Sequence, residues 1–196
     1  MRYRREHKAE VHQKIVKDAS RRVRAEGMDG AAVAAVMRDT GLTHGGFYKH
    51  FESKDELLAE SLHEAFREMG DALVEAAAQY RAKEPSRAKE PWKAIIETYL
   101  SEEFCKHAER GCPLTALSPE LARVDGPMRG QVLAELVSYK DRMVPFMPGR
   151  RMAEKECAFF VIFSTMIGAV QIARMLPSPA QTNVLAGVRE FLLKSF

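Results

Sequence analysis

Residues 40–51 read Thr-Gly-Leu-Thr-His-Gly-Gly-Phe-Tyr-Lys-His-Phe and form the most informative local pattern in the chain. Phe47 and Phe51 stand four residues apart, which places both rings on one face of a helix. The middle of the same stretch holds two adjacent glycines, Gly45 and Gly46. A glycine inside a helix costs about 1 kcal/mol relative to alanine, so a short helix that carries two of them requires a reason.

The sequence on both sides predicts further helices. A first helix stops at Gly27, and a second, short helix ends before Gly41, which can supply the positive φ of a tight turn. Thr43 stands at the expected N-cap of the third helix, and Ser53 with Glu56 forms a capping box that begins a long fourth helix. Three short helices with a tight turn predict a helix-turn-helix. The residues expected to face inward are Ile15, Val16, Ala19, Val23, Val33, Val36, Met37, Leu42, Leu57, Leu58, Leu62, Ala65, Phe66, Met69 and Leu73.

Apolar periodicity is helical through the rest of the chain as well. Residues 82–91 are polar and bracketed by prolines, which predicts an exposed loop. The helices expected beyond it cover residues 92–107, residues 114–122, a segment that opens at Pro127, residues 151–175 and residues 179–196. The sequence therefore predicts an all-α protein of about nine helices.

Charge is distributed unevenly along the chain. Residues 1–54 hold 12 Lys and Arg against 7 Asp and Glu, whereas residues 55–196 hold 18 against 20. A basic excess confined to one end favours a polyanionic partner for that end, although a chance surplus of solvated charges explains it equally well.

Three cysteines, an odd number, do not suggest a disulfide framework and favour a reducing cytosol. No apolar run follows the basic N-terminal residues, as a secretory signal would require, and the longest apolar stretch, residues 157–170, is too short to span a bilayer. We therefore expect a soluble, cytoplasmic protein with no membrane partner.

Several of these patterns together resemble the DNA-binding domain of the TetR family of transcriptional regulators. The resemblance covers about residues 10–60 and is carried by Gly27, Val33-x-x-Val36, Gly41-Leu42-Thr43, Phe47-Tyr48-Lys49-His50-Phe51 and Ser53-Lys54-x-x-Leu57-Leu58. It implies a DNA-binding domain over residues 1–54 and a helical ligand-binding and dimerisation domain over residues 55–196. The chain departs from the family at Ala31-Ala32, where Ser or Thr usually caps the second helix, so that Asp29 or Gly30 is the expected cap here.

The resemblance also implies which residues meet double-stranded DNA. The third helix would enter the major groove, with Lys49 reading a guanine edge, Tyr48 placed against a phosphate and a sugar, and His50 on a phosphate. The missing side chains of Gly45 and Gly46 would let the backbone approach the groove closely. The alternative for Tyr48 and His50 is an ordinary surface aromatic and a rim histidine. The complete expected DNA-binding set is Arg38, Thr43, His44, Gly45, Gly46, Tyr48, Lys49, His50 and Lys54.

A single domain of this kind reads only a few base pairs, so a palindromic operator requires a dimer. The last two helices are the expected interface, as two helices from each subunit would make a four-helix bundle. The alternative is that this apolar surface belongs to the core of one chain. The residues expected on it are Cys157, Phe160, Val161, Ser164, Gly168 and Gln171, with Val184, Val188, Phe191 and Leu192.

Cys112 raises the question of a thiol sensor. It stands near a predicted helix start, with Lys106, His107 and Arg110 close in sequence, and these features lower a thiol pKa. Some TetR-like regulators with a similar turn look like sensors of electrophiles or oxidants, with Cys105 as a second thiol here. The alternative is a small buried residue. Cys105, His107 and Cys112 match no standard zinc spacing, so we expect neither a metal nor a cofactor.

Without thiol chemistry, the effector would be an unidentified small molecule bound among the later helices. The candidate wall residues, for most of which plain core is the favoured reading, are Trp92, Tyr99, Phe104, Met143, Phe146, Phe159 and Phe163.

The function that these expectations favour is a dimeric repressor released from its operator by an effector or by modification of Cys112. Activation instead of repression is the alternative, as is a regulator without thiol chemistry. An enzyme is a weaker reading, because the sequence contains no nucleophile-elbow motif or phosphate loop. A helical adaptor that uses its N-terminal unit for protein contacts is the other rival.

Overall fold

The computed structural model describes residues 2–83 and 90–196, and all the regular structure in these two ranges is helical. The predicted all-α class is therefore confirmed. The α-helices are α1 (Arg2–Glu26), α2 (Val33–Asp39), α3 (Lys54–Lys83), α4 (Pro91–Tyr99), α5 (Glu102–Lys106), α6 (Pro113–Leu121), α7 (Gly126–Met143), α8 (Met152–Arg174) and α9 (Ser178–Ser195). Short 3-10 helices cover Met28–Ala31, His44–Lys49, Ala108–Arg110 and Val144–Phe146.

The N-terminal helices pack around a small core of their own. Gly41 has φ of 76°, as the predicted turn requires, and the Leu42 amide donates to the Met37 carbonyl at 2.8 Å. Leu42 is thereby held against the turn, and its side chain packs on the same core. The core itself consists of Ile15, Val16, Ala19, Val36, Met37, Phe47, Phe51 and Leu57.

The capping box at the start of α3 forms with one change. The Glu56 amide donates to Ser53 Oγ at 3.1 Å, as predicted. The Glu56 carboxylate, however, accepts from the amide of Glu52 at 2.5 Å, which lies one residue before the cap. The two bonds fix the chain entering α3, so that this long helix continues directly from the N-terminal unit.

Two predicted elements differ in the structure. The third helix is a 3-10 helix of six residues, not an α-helix. The predicted helix over residues 92–107 is broken at Leu100, because Ser101 begins a new helix by accepting the Phe104 amide on its side chain. The predicted loop is shorter at both ends, since α3 extends to Lys83 and α4 begins at Pro91; residues 84–89 lie outside the described residues.

The helices from α4 onward form a second, larger core with α3. Helix α8 is central to it and buries residues from Ala158 to Ala173, whereas its first turn and a half is not buried. Within the described ranges, α8 is the one helix that by length and composition could cross a membrane. A core helix meets the same criterion, so the pattern is a weak indication of a span. Helix α8 is apolar on two sides, because one side is buried in the core and a second apolar side is exposed.

The two cores are joined by a third apolar cluster and by a buried ion pair. The cluster contains Val23 of α1, Leu58 of α3 and Leu117 of α6, together with Ala31, Leu62, Leu121 and Val132. Arg24 of α1 is fully buried and its Nη2 lies 2.5 Å from the carboxylate of Glu68 on α3. Its Nη1 donates to the carbonyl of Gly111, just before α6, at 3.3 Å. One side chain therefore connects α1, α3 and the start of α6.

We expect Arg24→Met to destabilise the protein by about 3 kcal/mol, because breaking a buried ion pair leaves the partner charge uncompensated. Because Glu68 is partly exposed, we expect the loss of stability to lie near the lower end of the range seen when buried ion pairs are broken. Urea unfolding followed by circular dichroism measures it. The double variant Arg24→Met, Glu68→Met should be more stable than the single one, and the opposite order would show that the pair itself contributes little.

Candidate nucleic-acid interface and effector cavity

Residues 43–50, here called the 43–50 segment, present one face to the interior and the other to solvent. Phe47 is 1% exposed and stacks on Phe51 at 5.3 Å between ring centroids. Tyr48, the next residue, is 70% exposed, and Lys49 is also exposed. An aromatic side chain left this far in solvent contributes little to the fold. The segment therefore has a fixed inner face and an outer face available for contacts.

The two glycines of the segment have different surroundings. A Cβ added at Gly45 would meet no atom of the described chain within 4 Å, and its φ is not positive. A Cβ at Gly46 would point inward, to 3.6 Å from the Met37 methyl and 3.7 Å from Thr43 Oγ1. Neither the backbone nor the packing of this chain therefore requires glycine at position 45. The missing side chain matters only for something that approaches from outside.

Of two capping expectations in this region, one is confirmed in position only and the other is wrong. Thr43 occupies the N-cap position of the 3-10 helix, but its side chain makes no cap hydrogen bond. At α2 the N-cap residue is Ala32, again without a side-chain bond, and neither Asp29 nor Gly30 takes over that role. Asp29 and Gly30 instead form part of the 3-10 helix Met28–Ala31, and this extra turn sets the start of α2.

The cations expected at the interface lie on the surface around the 43–50 segment. Arg38 is exposed and lies 3.5 Å from its neighbour Asp39. Lys54 is about half-exposed and stands 3.9 Å from Asp29, a distance at which the ion pair is weak. Exposed pairs of this kind are readily exchanged for a phosphate. Arg38 and Lys54 are thus exposed on the two elements next to the 43–50 segment, α2 and the start of α3.

His50 differs from the other expected phosphate contacts. It is half-buried, and its Nδ1 is buried without a hydrogen-bond partner among the described residues. Burial lowers its pKa, and the nearby His12, Lys8 and Lys49 lower it further. At neutral pH the imidazole is therefore uncharged in the free protein.

The last two helices carry an exposed apolar face. On α8 the side chains of Phe160 and Val161 are exposed, and Ile172 and Met175 continue the face toward the C-terminal end. Phe191 extends it on α9. Gly168 and Gly187 have open space where a Cβ would lie. Leu192, expected on this face, is instead buried in the core of its own chain at 1% exposure, because it belongs to the opposite side of α9.

The cysteines do not have the properties expected of a sensor. Cys112 is at the N-cap position of α6, as predicted, but it is 1% exposed. Burial raises the pKa of its thiol despite hydrogen bonds from Tyr99 and from backbone amides, so the expected low pKa is wrong. Cys105 is buried too, and its Sγ lies 3.3 Å from Gln181 Nε2. Cys157 is exposed on α8.

We expect Cys112 to react with iodoacetamide at least about 100 times more slowly in the folded protein than in urea, because a buried neutral thiol is a poor nucleophile. Peptide mass mapping after timed labelling measures the rate at each cysteine. Equal rates in the folded and unfolded protein would restore Cys112 as a reactive site.

A cavity of about 230 Å³ lies between α6, α7 and α8. Of the residues predicted from sequence, Phe159 and Phe163 line it, whereas Trp92, Tyr99 and Met143 are buried in the larger core. Phe104 and Phe146 are partly buried against that core. The residues that the sequence did not indicate are Leu114, Leu136, Val137, Tyr139, Lys140, Phe160, Ser164 and Ile167. The apolar period of α7 placed Leu136 and Val137 on a helix face, but only the packing of three helices shows that this face meets a cavity.

Comparison with known proteins agrees with this arrangement. Residues 15–61 match the family described as bacterial regulatory proteins, tetR family. The chain is 27% identical over 140 residues to the HTH-type transcriptional regulator BetI of Stenotrophomonas maltophilia (strain R551-3), and the match covers 69% of each protein.

Two solved structures share the fold over nearly the whole chain. A TetR transcriptional regulator from Chloroflexus aurantiacus J-10-FL superposes with a TM-score of 0.74 at 20% identity, covering 95% of this chain and 94% of the other. A TetR-family regulator from Cytophaga hutchinsonii gives 0.70 at 16% identity, covering 96% of each. The helix-turn-helix with its exposed 43–50 segment, the matched residues and the helical fold lead to one conclusion: residues 15–61 form a DNA-binding domain of the tetR family, and the chain is a DNA-binding transcriptional regulator with the fold of the solved TetR regulators.

Proposed function

We propose that the protein is a repressor that binds a palindromic operator as a dimer and leaves it when a small molecule enters the cavity between α6, α7 and α8. The single observation that carries the DNA-binding part is the exposed face of the 43–50 segment. The ring of Tyr48 touches the edge of Phe47 but is 70% exposed, and Gly45 is a glycine that the fold does not require.

The proposed contacts follow from the positions of the side chains. The 43–50 segment enters the major groove, where Lys49 is the residue best suited to a guanine edge. Thr43 and His44 are exposed beside it, and Tyr48 can place its ring against a sugar and its hydroxyl on a phosphate. Arg38 and Lys54 flank the segment and bind the backbone, whose contacts position the protein without reading sequence.

The dimer is supported by the apolar face on α8 and α9. Exposed side chains such as Phe160, Val161 and Phe191 would be buried by a second copy of the chain, and the open space at Gly168 would allow close helix approach. A four-helix bundle of α8 and α9 from two subunits accommodates all of these features. It would place two helix-turn-helix units in one molecule, as a palindrome requires.

Release is proposed to proceed as a shift between two arrangements of the dimer. Leu114 at the cavity wall belongs to α6, and α6 also holds the N-terminal unit, because Glu120 accepts the Met28 amide at 2.6 Å. Arg24 adds the connection to α3 and Gly111. A ligand that fits one arrangement of α6 better than the other would shift the population and change the spacing of the two DNA-binding units.

We place the effector in the cavity and not on Cys112, because the thiol is buried and its pKa is raised. The protein is proposed to act in the cytoplasm and, as is general for such regulators, not as an enzyme. Repression is favoured over activation because it needs no contact beyond the operator.

The test is an electrophoretic shift with DNA from upstream of the protein's own coding sequence, at increasing salt. The proposal expects affinity to fall steeply with salt, since each neutralised phosphate contributes a slope of about 0.9 in the logarithmic plot. Binding that is absent, or indifferent to salt, would contradict it and favour the adaptor reading.

A further inference from the structure

We propose that DNA binding takes up a proton at His50, and that His12 of α1 sets the pH at which this happens. The proposal rests on the DNA-binding function described above and adds a response to pH. It is carried by the arrangement of the rings of His50, His12 and Phe51 at the end of the 43–50 segment, and by the charges around them.

His50 lies where the outer face of the 43–50 segment meets the interior. It caps the C-terminal end of the 3-10 helix His44–Lys49 and follows the exposed Tyr48 and Lys49. Its side chain is half-buried, and its Nδ1 is buried without a hydrogen-bond partner among the described residues. Nε2 is therefore the ring nitrogen left for a partner outside the chain. Protonation would place a hydrogen on the unpartnered Nδ1 as well, which favours the neutral ring in the free protein.

Two contacts hold His12 beside His50. The His12 ring stacks on Phe51 with 4.5 Å between the ring centroids, and its centroid lies 6.0 Å from that of His50. The Nε2 atom of His12 lies 2.7 Å from the carboxylate of Glu60 on α3. The position of His12 is therefore fixed by both α3 and Phe51, and a charge on its ring acts on His50 from a short distance.

The charges around His50 oppose its protonation. Lys8 and His12 face it from α1 and Lys49 from its own segment, whereas Glu60 of α3 is engaged with His12. Burial lowers the pKa of His50 most, and these three positive groups lower it further. Among the three, His12 has the largest effect. Removing the charge of His12 should therefore make His50 easier to protonate.

A DNA phosphate reverses this balance. Its negative charge beside the ring favours the protonated form, so the pKa of His50 is higher in the complex than in the free protein. By linkage, affinity then rises as the pH falls through the pKa of the complex. The rise ends below the pKa of the free protein, because the ring is then protonated with and without DNA. Acidification therefore strengthens DNA binding.

His63 provides a matched contrast. It also belongs to a histidine–glutamate pair between two helices, because its Nδ1 lies 2.8 Å from the carboxylate of Glu135. In the described part of the chain, no ring contact or ion pair joins it to the 43–50 segment. Loss of this pair should leave the protonation of His50 unchanged.

The first test follows the histidine ring signals of the full chain, labelled with isotopic histidine, by NMR across pH. The protein is measured alone and with a short random-sequence duplex at low salt, which suffices because phosphate contacts do not read sequence. The signal lost in His50→Gln identifies His50. We expect the pKa of His50 to be higher with the duplex than without it.

Fluorescence anisotropy with the same duplex measures the consequence for affinity. Affinity should rise by about threefold for each bound subunit between about pH 8 and about pH 6. His50→Gln keeps a neutral donor near the position of Nε2 but does not titrate, so it should lose most of this rise.

Two further variants test the role of His12. His12→Phe keeps a ring to stack on Phe51 but removes the charge, so it should raise the pKa of His50 in the free protein and move the affinity profile to higher pH. His63→Phe should change neither quantity.

The proposal would be overturned by an equal pKa of His50 with and without the duplex, by a rise in affinity that survives His50→Gln, or by a pKa of His50 that is the same in His12→Phe. Duplex binding that does not depend on pH would contradict this proposal and leave the DNA-binding function standing. Absence of duplex binding at every pH would contradict both.

Discussion

Gly45→Val is expected to weaken operator binding by about 30-fold or more while the protein remains folded. A Cβ at position 45 meets nothing within the described chain, so the substitution causes no internal clash. Against DNA, the branched side chain would hold the 43–50 segment away from the groove. Losing base contacts worth about 1–3 kcal/mol in each half-site gives about 2–6 kcal/mol for a dimer.

Two alanine variants separate this effect from a change in stability. Gly45→Ala should stabilise the fold by about 0.4–1 kcal/mol and still weaken operator binding, so that the two quantities change in opposite directions. Gly46→Ala is the matched control, because its methyl group would point toward Met37 and not outward. Fluorescence anisotropy with labelled operator measures the affinity, and urea unfolding measures the stability. Unchanged affinity in Gly45→Val would show that position 45 does not meet DNA.

Gly168→Arg is expected to convert the proposed dimer to a monomer and to lower operator affinity by about 10²–10⁴, the usual gain from linking two binding units. Gly168 lies on the exposed face of α8 with open space around it, so the monomer can hold the arginine side chain without strain. At the proposed bundle, the same side chain would stand between two helices. Sedimentation velocity gives the oligomeric state, and anisotropy gives the affinity.

The control for this variant is Gly130→Arg on α7, which also has open space but lies outside the face formed by α8 and α9. It should remain dimeric and bind the operator normally. If Gly168→Arg remains a dimer, the dimer interface does not include this face of α8.

Features fixed by local chemistry were predictable from the sequence. Gly41 has the left-handed φ that the turn needed, and Ser53 receives the amide of Glu56. The helical spacing of the apolar residues predicted which residues of α3 face inward. Of these, Leu57, Leu62 and Leu73 are all fully or almost fully buried. Each of these depends on neighbours within a few residues along the chain.

Features that depend on distant neighbours were not predictable. Cys112 has the sequence surroundings of a reactive thiol, but the core around it removes water and raises its pKa. The sequence does not show whether Leu192 lies on the buried or the exposed face of α9. Only the packing of α9 on α8 decides that it is buried. Arg24 follows an apolar stripe residue, and nothing near it indicates that Glu68 and Gly111 will enclose its guanidinium group.

The most direct test of the central claim is selection of operators from random double-stranded DNA with the full chain. The account predicts enrichment of inverted repeats whose half-site centres lie about 10–10.5 bp apart, or a multiple of that distance, on one face of the duplex. It also predicts that Gly45→Val enriches no such repeat. Recovery of unrelated sequences without two-fold symmetry by the unmodified protein would contradict the account.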